Sequence, residues 1–225
     1  VVTAVAGDPQ YVWFATNKGL ARYRKLDRTI RVYTAKEGLP DDAVNDALAI
    51  GRQVWFATRG GITVYDPDTD GLRSFGPKAG LASGDVAELY QVGDDVLLRH
   101  ESGLSRFRPK TRRFTNWSLK EIGAQQINSV TIDGERAWIG TDAGLRSLES
   151  STDAVIPFVQ QAALLGKAVR GVEVFTDYLY IATDKEVISF YKTTRSIRRY
   201  TEADGLARRE GIAGTVLLGG VYTLI

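Results

Sequence analysis

The chain has 225 residues, 29 of them basic and 27 acidic, with 44% apolar residues, 23 glycines, 6 prolines and neither cysteine nor methionine. The apolar share excludes wholesale disorder, and a net charge of +2 argues against a nucleic-acid surface. No apolar run reaches membrane-span length, no signal-peptide pattern opens the chain, and the lack of cysteine removes disulfides and thiolate metal sites. Without an initiator methionine, the chain reads as a mature or excised piece of a longer polypeptide.

Taken in chain order, the pattern is a repeat. Val2 to Val5 reads as a first short strand, Val12-Trp13-Phe14-Ala15-Thr16 as a second, Gly19-Leu20 to Tyr23 as a third, and Ile30-Arg31-Val32-Tyr33 as an alternating fourth. The second unit opens with Gly38-Leu39-Pro40 and continues through Val44, Ala47, Val54-Trp55-Phe56-Ala57-Thr58, Gly61-Ile62 and Tyr65. The third holds Gly80-Leu81, Val96-Leu97-Leu98-Arg99-His100, Gly103-Leu104 and Phe107. The fourth holds Ile127, Val130, Ala137-Trp138-Ile139-Gly140-Thr141, Gly144-Leu145 and Leu148. The fifth is more divergent, with Ala163-Leu164, Leu179-Tyr180-Ile181-Ala182-Thr183, Glu186-Val187 in place of Gly-Leu, Phe190 and Ile197 to Tyr200. Gly205-Leu206 and Tyr222 begin a sixth. The anchors at 13, 55, 97, 138, 180 and 222 are separated by 42, 42, 41, 42 and 42 residues.

Four short strands in about 42 residues is the size of a propeller blade, and the helical period of TPR or ankyrin arrays is missing. The expected fold is therefore all-β: a β-propeller of four-stranded antiparallel blades, with helix no more than a few per cent. Residues 1–225 form a single propeller domain or fragment, with blades at about 1–34, 35–76, 77–117, 118–159 and 160–201 and a partial blade at 202–225. An open ring would expose strand edges, so the chain is expected to be part of a larger propeller.

Residues 37–65 carry a recognisable motif: Glu37-Gly38-Leu39-Pro40, Val44, Trp55-Phe56-Ala57-Thr58, Gly61-Ile62 and Tyr65. Trp138-Ile139-Gly140-Thr141 with Gly144-Leu145 follows it closely. This pattern resembles the two-component-regulator propeller repeat, and the resemblance runs along essentially the whole chain. It implies an extracytoplasmic propeller, periplasmic or extracellular in a bacterium, like the sensor portions of hybrid two-component systems, many of which respond to glycans. No kinase, receiver or DNA-binding sequence accompanies it.

Several motifs have plain structural readings. Trp13, Trp55 and Trp138 recur in phase as core packing requires, and Thr16, Thr58, Thr141 and Thr183 bind nearby backbone. Trp117, off the anchor position, is a candidate exposed platform for a sugar. Arg22 to Lys25, Arg106 to Arg113 and Arg195 to Arg199 read as charged outer edges that prevent edge-to-edge pairing. Asp66-Pro67-Asp68-Thr69-Asp70-Gly71 reads as a turn rather than a calcium loop, since it lacks the EF-hand glutamate. No phosphate-binding glycine pattern occurs.

The third repeat departs most, placing Arg99-His100-Glu101 where others have Ala or Gly followed by Thr. In a propeller this turn lies on the same face as the loop entering the first strand. The candidate ligand-binding residues are therefore Arg59, Arg99, His100, Glu101 and Asp142, with Asp41 and Arg208 from entering loops. Against this stands a self-satisfied blade, with an Arg99–Glu101 contact. The leading functional reading is a non-enzymatic binding or sensing module for a polar small molecule or oligosaccharide, or for another envelope protein. A structural scaffold of the envelope is the alternative, and an enzyme similar to streptogramin lyase the weakest. With His100 as the single histidine, no catalytic residue, metal or cofactor is expected. Neither nucleic acid nor direct membrane insertion is expected.

Overall fold

β-Branched and aromatic residues in runs of four to seven, separated by glycine and polar turns, favour short strands closed by tight hairpins. The computed structural model describes residues 1–158, 164 and 167–206. It contains five four-stranded antiparallel sheets, each a simple meander of consecutive strands. Sheet 1 comprises β1 (Val2–Gly7), β2 (Tyr11–Thr16), β3 (Gly19–Arg24) and β4 (Ile30–Tyr33). Sheet 2 comprises β5 (Val44–Ile50), β6 (Gln53–Thr58), β7 (Gly61–Asp66) and β8 (Gly71–Phe75). Sheet 3 comprises β9 (Val86–Val92), β10 (Asp95–His100), β11 (Gly103–Arg108) and β12 (Arg113–Ser118). Sheet 4 comprises β13 (Ile127–Asp133), β14 (Arg136–Thr141), β15 (Gly144–Glu149) and β16 (Val155–Pro157). Sheet 5 comprises β17 (Val169–Phe175), β18 (Tyr178–Thr183), β19 (Val187–Tyr191) and β20 (Ile197–Tyr200). The expected sixth partial unit and Arg208 fall mostly or wholly outside the described residues.

The chain divides into two compact units, Val1–Ser118 with sheets 1 to 3 and the remainder with sheets 4 and 5. In the first unit β1 lies beside β5 and β5 beside β9; in the second, β13 lies beside β17. Three apolar clusters fill the spaces between neighbouring sheets of a unit. Trp13, Leu20, Tyr33 and Leu39 meet Val44, Val54, Phe56 and Tyr65 between sheets 1 and 2. Trp55, Ile62 and Leu81 meet Val86, Leu89, Leu98 and Phe107 between sheets 2 and 3. Trp138, Leu145, Phe158 and Leu164 meet Val172, Leu179, Ile181 and Phe190 between sheets 4 and 5. The anchor tryptophans are thus packing residues, as their phase requires.

Helix is more abundant than the repeat implies, at 7%. Among the described residues it includes single turns at Ala35–Glu37, Pro77–Ala79, Leu119–Ile122 and Glu202–Asp204, each following the last strand of a sheet. The glycine of the linking Gly-Leu pair ends the turn in the left-handed region, with φ of 105° at Gly38 and 102° at Gly80. The following Leu39 and Leu81 then drop into the core.

The other repeated glycine opens the third strand for a harder reason. A Cβ on Gly61 would lie 2.2 Å from the Phe75 carbonyl oxygen, and one on Gly103 would lie 2.0 Å from that of Trp117. Sheet 5 has Glu186 there, and its third strand begins one residue later, at Val187. The Glu186 carboxylate is buried and accepts from Lys167 and from Arg199 Nη1, the latter at 2.6 Å. Burial opposes its charge, but the two cations win and hold its pKa below the usual range.

Three surface expectations are corrected. Trp117 is no exposed platform: it lies on β12 opposite Leu104 and is 7% exposed. Arg22 and Arg106 are buried rather than edge charges. The Arg22 guanidinium sits 4.4 Å from the Tyr11 ring centre and within 5.6 Å of those of Trp13, Tyr33 and Tyr65. It donates to Tyr65 Oη at 3.0 Å and to the Asp70 carboxylate, so the charge is neutralised inside the aromatic cluster. Asp70 belongs to the Asp66–Gly71 segment, which forms the β7–β8 turn with Asp66 Oδ1 accepting from Asp68 N at 3.0 Å.

Candidate functional site

At the end of four of the five second strands a threonine side chain ties off the turn. Thr16, Thr58, Thr141 and Thr183 donate to the carbonyl three residues on, at 2.7, 2.9, 2.7 and 3.1 Å. The turn that follows is bonded to the segment entering the first strand of the same sheet. Asn17 N donates to Val1 O at 3.3 Å, Arg59 N to Ala43 O at 3.2 Å, and Asp142 N to Gln126 O at 3.2 Å. In sheet 5 an ion pair ties the turn to the start of the first strand itself, Arg170 to Asp184 at 2.7 Å. Turn and entering segment therefore share one end of their sheet.

The sequence candidates occupy distinct places on this framework. Arg59 and Glu101 are exposed at the turns. The Arg59 carbonyl is close to the loop entering sheet 3, where a Cβ on Gly84 would lie 3.1 Å from it. Asp41 shapes its own loop, its Oδ1 accepting from Ala43 N at 2.7 Å. Asp142 does the same for sheet 4, its Oδ1 accepting from Gln125 N and Gln126 N at 3.0 Å each. The first five candidates in chain order, from Asp41 to Glu101, belong to Val1–Ser118, whereas Asp142 belongs to the other unit.

Arg99 pairs with Glu88, not with Glu101. Its Nε and Nη2 donate to the two Glu88 oxygens at 2.8 and 2.6 Å, and Tyr90 Oη donates to the same carboxylate. Register explains the choice, since Arg99 and Glu88 are cross-strand partners on β10 and β9. The bond to Arg99 holds the Glu88 pKa down, while burial raises that of Tyr90. Arg99 keeps a quarter of its side chain exposed and Glu88 rather more.

His100 takes the threonine position and is buried. Its Nε2 lies 2.9 Å from Ser105 Oγ, and its Nδ1 lies 2.9 Å from Ser102 Oγ. Ser105 gives its one proton to Asn116 Oδ1 at 2.6 Å, and Asn116 Nδ2 donates to Gly80 O at 2.9 Å. Nε2 must then carry the imidazole hydrogen and Nδ1 must accept from Ser102. The arrangement joins His to Ser, yet the Ser105 hydroxyl is fully buried with its proton committed elsewhere, so it is no nucleophile. Burial lowers the His100 pKa.

A further set of residues escaped sequence reasoning. Every sheet has a register shift between its first two strands, at residues 3, 45, 87, 128 and 170. From three of these bulges a side chain reaches the first strand of the next sheet. Thr3 Oγ1 donates to Val44 O at 2.6 Å, Asn45 Nδ2 to Val86 O at 2.7 Å, and Asn128 Nδ2 to Val169 O at 2.8 Å. Asp46, next to one bulge, accepts from Ala47 N at 2.8 Å and from Leu89 N of the next sheet at 2.9 Å. Burial, with Glu88 nearby, raises its pKa. Thr3, Asn45 and Asn128, polar residues in phase with the repeat, were the available signal. No group of three or more His, Asp or Glu side chains able to hold a metal occurs among the described residues.

No protein-family model matches the chain, and no curated protein matches it in sequence. Among solved structures, it is similar to the extracellular domain of the hybrid two component system BT3049 from B. thetaiotaomicron. The TM-score is 0.63 at 22% identity, covering 88% of this chain and 29% of that one. An ancestral GH74 enzyme gives 0.61 at 10% identity, covering 89% and 31%. The N-terminal domain of Nup159 gives 0.57 at 11% identity, covering 88% and 60%. Likeness at these identities is likeness of fold, and it accords with the repeat's resemblance to the two-component-regulator propeller family. The chain spans less than a third of the length of the first of these proteins.

Proposed function

We propose that the five sheets are blades of a β-propeller completed by further sheets. We propose further that this propeller is a non-enzymatic binding module of a bacterial envelope sensor, periplasmic or extracellular. Its ligand is polar, and a saccharide is the class favoured. The observation that carries this reading is the end of the sheets where turn meets entering segment. Residues 17, 59, 101, 142 and 184 recur there, and all are polar or charged: Asn17, Arg59, Glu101, Asp142 and Asp184. Loops on a rigid scaffold are where binding groups concentrate, and Arg with carboxylates suits hydroxyl-rich or carboxylate-bearing ligands. The likeness to an extracellular sensor domain supports the location. No described helix is long and apolar enough to cross a membrane.

Within the proposed site Arg59, Glu101 and the Arg99–Glu88 pair meet the ligand, with Asp41 and His100 holding the loops, while Asp142 holds the corresponding loop of sheet 4 in the other unit. Calorimetry against a panel of acidic and neutral oligosaccharides tests it. Arg59→Ala and Glu101→Ala should each weaken binding about tenfold, roughly 1.4 kcal/mol, without moving the melting temperature. Asp142→Ala should lower the melting temperature too. Wild-type affinity in both exposed variants would refute the site.

A further inference from the structure

Sheet 3 fastens the turn after its second strand differently from the others. In sheets 1, 2, 4 and 5 the threonine hydroxyl that donates to the carbonyl three residues on also accepts an amide of the turn. The donors are Lys18 N, Gly60 N, Ala143 N and Lys185 N, at 3.0, 3.1, 3.1 and 3.4 Å. A threonine hydroxyl carries no charge at any ordinary pH, so these turns are held alike in acid and base. In sheet 3 the place is taken by His100, whose ring reaches the turn through the Ser102 hydroxyl at 2.9 Å. Among the described residues the Glu101 amide makes no bond to the segment entering sheet 3, unlike the amides of Asn17, Arg59 and Asp142 in sheets 1, 2 and 4. The Glu101–Ser102 turn is therefore fastened through a group that titrates.

His100 lies on the same side of β10 as Val96 and Leu98, which pack in the apolar cluster between sheets 2 and 3, and it is 2% exposed. A second ring proton would go on Nδ1, the atom that accepts from Ser102. Ser102 can turn its hydroxyl round to accept instead, but no group there balances the buried charge. On β9, Glu88 is held by Arg99, which points to the other side of β10 from His100. On β11 and β12 the ring faces Ser105 and, beyond it, Asn116, both neutral. On β5, Asp46 spends both oxygens on the amides of Ala47 and Leu89. In the loop entering sheet 3, Asp85 accepts from Asn45 Nδ2 at 3.2 Å, and the turn of sheet 2 brings a cation, Arg59. Solvent is reached at the end of the strand, where Glu101 and Ser102 are exposed. An imidazolium moving out to water there gives up its serine partners and comes beside the Glu101 carboxylate.

We propose that His100 is an acid-released latch on the Glu101–Ser102 turn: the neutral ring holds the turn to the sheet, and protonation frees it. Glu101 is then presented in one position near neutral pH and loosened in acid, which makes the ligand site pH-dependent. That consequence rests on the proposed role of Glu101 as a ligand contact; the release of the turn does not. Burial lowers the His100 pKa, so release sets in below the ordinary histidine value of about 6.5.

Backbone amide relaxation by NMR on the full chain, followed beside the imidazole signals of its single histidine, tests this without any ligand. As the ring titrates between about pH 7 and about pH 5, the order parameters of the Glu101 and Ser102 amides should fall from about 0.85 to below about 0.6. Those of Arg59, Gly60, Asp142 and Ala143, in the turns tied by threonine, should stay unchanged. Ser102→Ala should show the low values already at neutral pH. His100→Thr installs the hydroxyl of the other four sheets and should keep the high values throughout. Should His100→Thr fail to fold, the wild-type titration and Ser102→Ala still decide. A ring that stays neutral down to about pH 5 would overturn the proposal. So would a turn that stays ordered once the ring has titrated, or a loss of order shared equally by Leu97 and Leu98. None of these outcomes bears on whether Arg59 and Glu101 bind a ligand, which calorimetry of their alanine variants at neutral pH reads separately.

Discussion

Thr176 offers a test of how the repeat governs backbone conformation. It occupies the turn between the first two strands of sheet 5 with φ of 52°, in the left-handed region. The same turn position holds Gly51, Gly93 and Gly134 in sheets 2 to 4, with φ of 58°, 58° and 63°. A side chain in this region costs about 1–2 kcal/mol, and a β-branched one is among the worst placed. Thr176→Gly should recover that strain. Against it stands the extra backbone entropy of glycine, about 0.5–1 kcal/mol. The bond from Thr176 Oγ1 to its neighbour's carbonyl, Phe175 O at 2.7 Å, is exposed and adds little. The net expectation is a gain of about 0.5–1 kcal/mol, or about 1–4 °C in melting temperature for a chain of this size. Urea denaturation and calorimetry would read it, with Gly134→Thr as the reverse control losing a similar amount. A neutral or destabilised Thr176→Gly alongside a harmless Gly134→Thr would refute the reasoning.

Three further outcomes are expected. Gly61→Ala should cost at least about 2 kcal/mol in a urea melt, because its Cβ would meet the Phe75 carbonyl oxygen at 2.2 Å in a backbone with φ of 140°. Asp46→Ala should cost about 2–3 kcal/mol, since it strips the acceptor from the amides of Ala47 and Leu89, and Asp46→Asn should cost less. Burial lowers the His100 pKa, so the unfolded chain binds its proton first; the resulting stability is present above about pH 6.5 and is lost as pH falls through the lower folded value. Melting curves between about pH 7 and about pH 5 should therefore slope less in His100→Thr than in wild type, and equal slopes would count against the assigned burial.

The positions that sequence exposed are those where one atom forces one residue type. Glycine at 19, 61 and 103 is forced by a facing carbonyl, and threonine at 16, 58, 141 and 183 by the carbonyl three residues on. Such constraints leave the same letter at the same phase, so the five sheets and their strand order could be read directly. Where several residue types meet a constraint, the phase survives without the letter. The bulge residues Thr3, Asn45, Ala87, Asn128 and Arg170 share a backbone role, and Thr3, Asn45 and Asn128 share a side-chain donor to the next sheet that Ala87 and Arg170 do not repeat. The outer hairpins each place a residue in the left-handed region at 28, 70, 112, 153 and 195, filled by Arg, Asp, Arg, Asp and Arg.

Charge misled for a different reason. Arg22 and Arg106 were legible as cations, and a cation on an outer strand ordinarily faces water. Only the register shows that Arg22 is the partner of Trp13 and therefore points into the space between sheets 1 and 2. The same alternation turned Arg99 toward Glu88, its cross-strand partner, although Glu101 is far nearer in sequence. In a repeat of four-stranded sheets, whether a charged residue can meet a ligand is decided by strand parity and cross-strand pairing before its chemistry is considered. Arg59 and Glu101 escape this rule because they stand in turns, beyond the last paired residue of their strands. That is the physical reason to place the ligand contacts there first.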